Sequence, residues 1–497
     1  MRRGFVTVDT LGVSSGPAVD SAFLAALTAV PPVAWSVWVG EYPASADPAL
    51  PYVLTATFAI PPCRGVAAIC LLETIPGNGL PTLEQAALRL WSGLAPVDAR
   101  VLHQQVSADG SVVSTLATAW ADPVACRWLS EAMSAGASLR ADGWEWLSTP
   151  ERPALSKVTS GSARHISGRH HDVVLFEPSA VAVVYGQLTR GGQPELDLLR
   201  HLERVPGVRV APILLGSAII RGPDGQRSAC ALLEDIVPGA ATVRSVIVGR
   251  LKRALDGDPS LQASALDDVR AVGVITRELH AALGRPFEQG VLDGAVPATV
   301  ADVESWVARV WTTLTSAIAA HKAARQAETD PERALGNALD VLPGKLQQFA
   351  AAAEAAPGLV HRIHGNLRLD TILMAPPRKL SVVEFDGDAL LPDQERVAPQ
   401  SPWRDVARVL VSIAQVAAEA AHVAGGDEKA FEIAWLWERE ARKACLEGYG
   451  TGGGALHALL AMFEMEFTAR LLLDALATGG STDVASHTLQ RLTRTIV

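Results

Sequence analysis

From Arg362 to Thr371 the chain reads Arg-Ile-His-Gly-Asn-Leu-Arg-Leu-Asp-Thr, and from Val382 to Asp388 it reads Val-Val-Glu-Phe-Asp-Gly-Asp. The first run brings an imidazole, an amide, a guanidinium and a carboxylate together. The second ends an apolar run in three carboxylates, Glu384, Asp386 and Asp388. A polar loop followed closely by an acidic strand end is how phosphoryl-transfer sites set a base beside metal ligands. The three acids either hold a divalent ion or form a solvated acidic turn, and their spacing does not choose between the two. His361 and His364 could share a metal only with further ligands, and no other His or Cys stands near them.

The segments around these residues must place them. Val360 to Asp388 predicts a short strand into a loop, then an apolar strand. Pro392 to Pro402 predicts a loop, and a helix begins near Trp403. Further helices are predicted over 403–424, 427–448 and 455–476. Upstream, Val272–Leu283 and the alanine-rich stretches 301–325 and 333–356 also read as helices, the latter two split by Asp330-Pro331. Val173–Phe176, Ala180–Tyr185, Pro212–Ile220 and Ala229–Ile236 read as strands. Pro238-Gly239 reads as a hinge after them. Earlier still, Tyr52–Ile60 and Gly65–Leu72 read as strands, and Leu83–Leu94 and Pro123–Ala135 as helices. Ser148–Arg164 is polar and reads as a linker.

Composition narrows the function classes. The chain has 497 residues, too many for one simple core. A formal charge of −10 argues against nucleic acid as the main partner. The five cysteines, Cys63, Cys70, Cys126, Cys230 and Cys445, show no C-x-x-C spacing, which predicts reduced thiols and a cytoplasmic location. No signal-peptide pattern opens the chain. The most apolar windows, Gly65–Leu72 and Ala455–Met462, are too short to span a bilayer, so no membrane partner is expected. Among the twelve tryptophans, Trp306 and Trp311 sit in a helical pattern and are expected in the core.

Order and spacing from Arg362 to Ala407 resemble the maltokinase branch of the aminoglycoside-phosphotransferase-like kinases. That family carries R-x-H-G-D-L-H-L-G-Q, then D-F-E-G-E-P, then E-R and S-P-L-R-D-V-A. Gly191-Gly192-Gln193-Pro194-Glu195-Leu196-Asp197-Leu198 is similar to its G-x-N-P-D-x-E-L, and the helix ending Glu278-Leu279-His280 is similar to its L-G-x-x-x-A-x-L-H. The resemblance implies an α+β chain: an N-terminal cap-like domain over 1–150, then a two-lobed protein-kinase-like fold. Its N-lobe would cover 165–242 and its mostly helical C-lobe 243–497, with the catalytic-loop region at 360–410.

The resemblance also assigns roles. Asn366 stands at the position of the catalytic base. Val183 stands at the lysine that holds nucleotide phosphates, and no lysine lies between Thr159 and Lys252. Asp197 takes the place of that lysine's helix partner, and Gly168 falls in the phosphate-covering loop. Thr371, Glu384 and Asp386 take the metal-ligand positions. His364, Arg404 and Asp405 are implied to be structural, the Asp bracing the loop from the following helix. Asp370 either reaches in as a substitute base or caps a helix starting at Thr371, and the cap is the expected role.

Because Asn366 cannot take a proton and Val183 cannot neutralise phosphate, the expectation is a pseudokinase. It would bind or regulate in trehalose or α-glucan metabolism, with weak or absent ATP and Mg²⁺ binding, a sugar ligand, and a trehalose or α-glucan enzyme as protein partner. The alternative is an active, rewired ATP-dependent sugar or aminosugar kinase.

Overall fold

The computed structural model describes residues 19–30, 52–74, 83–152, 163–167, 171–189, 194–255, 257–258, 260–286, 294–324, 330–388, 391, 393–450 and 455–495. It divides into two compact units. One comprises Met1–Arg200 with Pro212–Pro238, the other His201–Ala211 with Gly239–Val497. The last of the three passages between the units falls at Pro238-Gly239, where Gly239 takes the positive φ of 68° that a side chain disfavours.

The first unit holds two antiparallel sheets. One is built from β1 (Tyr52–Ala59), β2 (Ala67–Thr74), β3 (Leu83–Ser92), β4 (Val101–Val106) and β5 (Val112–Thr118), in the order β1-β2-β3-β5-β4. The helix Ser21–Thr28 lays Phe23 and Leu27 into a core with Leu54, Cys70, Leu88 and Leu116. Leu83–Ser92 is therefore a strand and not the helix its Leu, Ala, Glu and Gln content suggests. It pairs with β2 on one side and β5 on the other, and its first six residues are all buried. A strand buried on both faces shows no alternation, so its pattern mimics a buried helix.

The other sheet contains β6 (Ser138–Ala141), β7 (Trp144–Pro150), β8 (Ala163–Ser167), β9 (His171–Phe176), β10 (Ala180–Tyr185), β12 (Leu214–Arg221) and β13 (Arg227–Asp235), in the order β6-β7-β12-β13-β10-β9-β8. A two-residue β11 (Gln187–Leu188) crosses back to pair with β3. The helix Pro123–Ala135 starts at Asp122, whose carboxylate accepts from Val124 N at 2.9 Å, and packs Trp128 on Trp146. Gly216 lets β12 approach this helix, since a Cβ there would lie 2.8 Å from Met133 O.

The second unit is mainly helical: Val243–Leu255, Ser260–Leu283, Val300–Ala324, Asp330–Ala355, Asp393–Val397, Trp403–Val423, Glu428–Tyr449, Ala455–Thr478 and Asp483–Thr493. Short strands stitch it together. β15 (Val296–Pro297) pairs with β16 (Leu359–Val360), while β14 (Ala241–Thr242), β17 (Ile372–Ala375) and β18 (Lys379–Val382) form a three-stranded sheet. The helix Trp403–Val423 is long and apolar enough to cross a membrane, a segment the sequence windows passed over, but 72% of its apolar window is buried within the protein. Trp306 is buried, as its pattern suggests, whereas Trp311 is 43% exposed and is not a core residue. All five cysteines are buried and free.

Candidate active site

The β17–β18 hairpin and the helix Trp403–Val423 hold the His364–Thr371 loop between them. Asp405, fully buried, accepts from His364 N at 2.8 Å and Gly365 N at 2.9 Å. Two turns further along, Ser412 Oγ accepts from Leu369 N at 3.2 Å. Residues 405 and 412 lie on one helix face, so this face carries both ends of the loop. Gly365, at φ 82°, brings the loop against Gly387, where a Cβ would stand 3.2 Å from Gly387 Cα.

Behind Asp405 stands His280, with Nε2 at 3.2 Å from Asp405 Oδ2 and Nδ1 at 2.9 Å from Tyr449 Oη. A carboxylate only accepts, so Nε2–H donates to it. Burial would raise the Asp405 carboxyl, but the hydrogen bond and charge of His280 and the loop contacts outweigh it and hold the group below its usual range. Arg404, equally buried, makes a bidentate pair with Glu466 at 2.6 and 2.8 Å. Neither Tyr449 nor Glu466 stands out in the sequence, although a carboxylate inside the apolar run Ala458–Phe467 is itself a sign of a buried partner.

His364 bonds backbone on both nitrogens. Nε2 donates to Val383 O at 3.0 Å and Nδ1 accepts from Asn366 N at 3.2 Å. Burial pushes its pKa down, which keeps the ring neutral and the Asn366 contact intact. Thr371 is wholly buried. Its hydroxyl donates to Arg368 O at 3.1 Å and accepts from Arg368 N at 3.0 Å, closing the loop's last turn. No helix follows. Thr371 leads into β17, so Asp370 is not a helix cap. Its carboxylate instead faces Arg244 at 3.3 Å and Arg368 at 4.0 Å.

Glu384, just beyond β18, is exposed and takes a left-handed φ of 63°. Among the described residues its carboxylate has no hydrogen bond or ion pair. The protein around it raises its pKa by desolvation, against the pull of Arg368. A non-glycine residue held in that region stores of the order of 1 kcal/mol of strain, a cost that clusters at functional sites. Asp388 is turned away to Arg470 at 2.5 Å. Among the described residues no three His, Cys, Asp or Glu side chains form a metal cage, and both His364 nitrogens are engaged by backbone, which leaves none for a metal shared with His361. Mg²⁺ bound through nucleotide phosphates needs only one or two carboxylates, and the exposed Glu384 supplies one beside the loop.

In the first unit, Val183 lies on β10 between Val173 of β9 and Leu232 of β13. The helix Pro194–Arg204 carries Asp197, and its Glu195 accepts from the Tyr185 hydroxyl of β10. Burial, then the Glu195 charge, raises the neighbouring Glu234 carboxyl well above its usual range. Gly168 lies outside the described residues.

No family model matches the chain. The sequence is 27% identical over 247 residues to a glucosamine kinase of Mycolicibacterium smegmatis, covering 50% of this chain and 57% of that protein. It is 27% identical over 216 residues to a glucosamine kinase of Streptacidiphilus jiangxiensis, covering 43% and 44%. The chain thus spans about half the length of the curated relatives it matches. Among solved structures, a glucosamine kinase in one crystal form superposes with a TM-score of 0.63 at 20% identity, over 95% of this chain and 97% of that one. A glucosamine kinase in complex with glucosamine, ADP and inorganic phosphate gives 0.61 at 20% identity, over 92% and 97%. These matches correct the branch: the homology is to glucosamine kinases rather than specifically to maltokinases. The chain has the mixed α/β, two-lobed protein-kinase-like fold of the aminoglycoside phosphotransferases.

Proposed function

We propose that the protein is an ATP-dependent phosphotransferase acting on a sugar or aminosugar. The observation that carries this is Glu384, a strained, exposed carboxylate without a described partner at the end of β18, beside a loop pinned by Asp405 and Ser412. A binding-only relative would gain nothing from keeping that strain. Homology to glucosamine kinases points the same way. Phosphoryl transfer depends mostly on positioning and electrostatics, and a general base contributes about 10²–10⁴-fold, so Asn366 lowers the rate without forbidding the reaction. Its amide can accept from an acceptor hydroxyl and orient it. On this reading Asp370, four residues along the loop and flanked by Arg244 and Arg368, is the carboxylate that would take the proton. Mg²⁺, when bound, would neutralise phosphate charge, with Glu384 and Asp386 as its protein ligands.

The second reading is a pseudokinase in sugar metabolism, favoured by Asn366 and by Val183 in place of a lysine. ADP release with glucosamine, glucose and maltose separates the two. On the kinase reading the native protein turns over with Mg²⁺, Glu384→Ala lowers turnover by about 100-fold and Asp370→Asn by at least about tenfold. No turnover with any sugar, together with intact ATP or sugar binding by thermal shift, would establish the pseudokinase.

A further inference from the structure

The loop face of the helix Trp403–Val423 has a third member. Arg408 stands between Asp405 and Ser412 on the same stripe, opposite the loop between their two attachment points. Among the described residues its guanidinium makes no hydrogen bond or ion pair. It lies over the Phe467 ring at 4.7 Å. Burial first, with Arg368 among the neighbouring charges, brings its pKa down to about 10. Asp388 is the acid acting on it, but Asp388 is committed to Arg470, and Glu466 is committed to Arg404 and Arg470. Arg368 is short of hydrogen-bond acceptors as well, although the Asp370 and Glu384 carboxylates act near it. Its Nε is buried without a hydrogen bond, and its approach to Asp370 is only 4.0 Å.

Two neighbouring guanidinium groups with few acceptors are costly in a partly buried setting, and an oxyanion relieves both the lost hydrogen bonds and the like-charge repulsion. We infer that Arg368 and Arg408 form an oxyanion site beside Asn366 that takes a phosphate or carboxylate group of a ligand. This deepens the phosphotransferase reading, on which it rests for the source of the oxyanion: the terminal phosphate of the nucleotide, or an acidic substituent on the sugar acceptor. Guanidinium suits either group because its fork of donors matches two oxygens at once.

Calorimetric titration of the full chain tests this with inorganic phosphate, Mg·ATP, Mg·ADP, glucose 6-phosphate, glucuronate and neutral glucose at one ionic strength. At least one oxyanion probe should bind, and Arg408→Gln and Arg368→Gln should each weaken it by at least about tenfold, with Arg408→Lys between. Losses confined to Mg·ATP and not shared by Mg·ADP assign the site to the terminal phosphate. Losses confined to the acidic sugars assign it to the acceptor. Arg368 is on the loop and partly exposed, so its variant serves if Arg408→Gln fails to fold. No binding of any oxyanion probe, or unchanged affinity in folded variants, would overturn the inference. Arginine-dependent binding without ADP release would leave it standing while the phosphotransferase reading fails. ADP release at the native rate in both Gln variants, with unchanged binding, would do the reverse.

Discussion

Gly273→Ala is expected to lower the melting temperature by several degrees, although alanine is the better helix former by about 1 kcal/mol at an open helical position. Position 273 is not open. A Cβ there would lie 2.0 Å from Cys445 O and 2.8 Å from Tyr449 N. The contact is reciprocal, since a Cβ on Gly448 would lie 2.2 Å from Arg270 O. The helices Ser260–Leu283 and Glu428–Tyr449 therefore meet backbone to backbone, and neither neighbour is a flexible side chain that could move aside. Separating them should cost about 3 kcal/mol, the upper part of the overpacking range. For a unit of this size each kcal/mol shifts the transition by roughly 2–4 °C. The His280–Tyr449 hydrogen bond joins the same two helices, so the support behind Asp405 loosens with them. Gly249→Ala is the control: nothing lies within 4 Å of its Cβ position, and that variant should be neutral or slightly stabilised. Equal melting temperatures for the native protein and Gly273→Ala would contradict the close crossing.

Asp405→Ala should be as damaging and should also change the response to acid. The substitution leaves His364 N, Gly365 N and His280 Nε2 buried without their acceptor. Removing one member of such a buried charged network costs about 3–5 kcal/mol. Asp405→Asn, which keeps one acceptor oxygen, should fall between. The folded protein holds this carboxyl below its usual range, so its contribution is complete above the unfolded value of about 3.9 and disappears as pH falls through the folded value. Native stability should therefore drop below about pH 4 more steeply than that of Asp405→Ala. Thermal melts of both proteins across that range provide the check. Parallel curves would mean that Asp405 does not titrate as the geometry requires.

The catalytic-loop region was legible because its cues are local. The spacing from His364 to Asp405 and the amphipathic stretch from Trp403 each depend on a few adjacent residues, and the helix appears at Trp403–Val423, whereas the proline-bounded stretch read as a loop holds the short helix Asp393–Val397. Local cues failed where partners come from afar. Leu83–Ser92 looks helical on its own, and only pairing with β2 and β5 makes it a strand. Asp370 has the form of a helix cap, but Arg244, distant in the chain, engages its carboxylate while Thr371 starts a strand.

By itself, then, the sequence determined the residue types at the loop, Asn366 and Val183 among them, and the order of the elements around it. The tertiary structure decided which of those side chains are free to act. Glu384 is exposed and strained, Asp388 is consumed by Arg470, and Thr371 is spent on a turn. Arg408 shares the helix face that Asp405 and Ser412 turn to the loop, which the order of residues alone does not show. The reason is that a side chain's chemistry is written at its own position, whereas its burial, partners and protonation are set by groups that folding brings in from elsewhere in the chain.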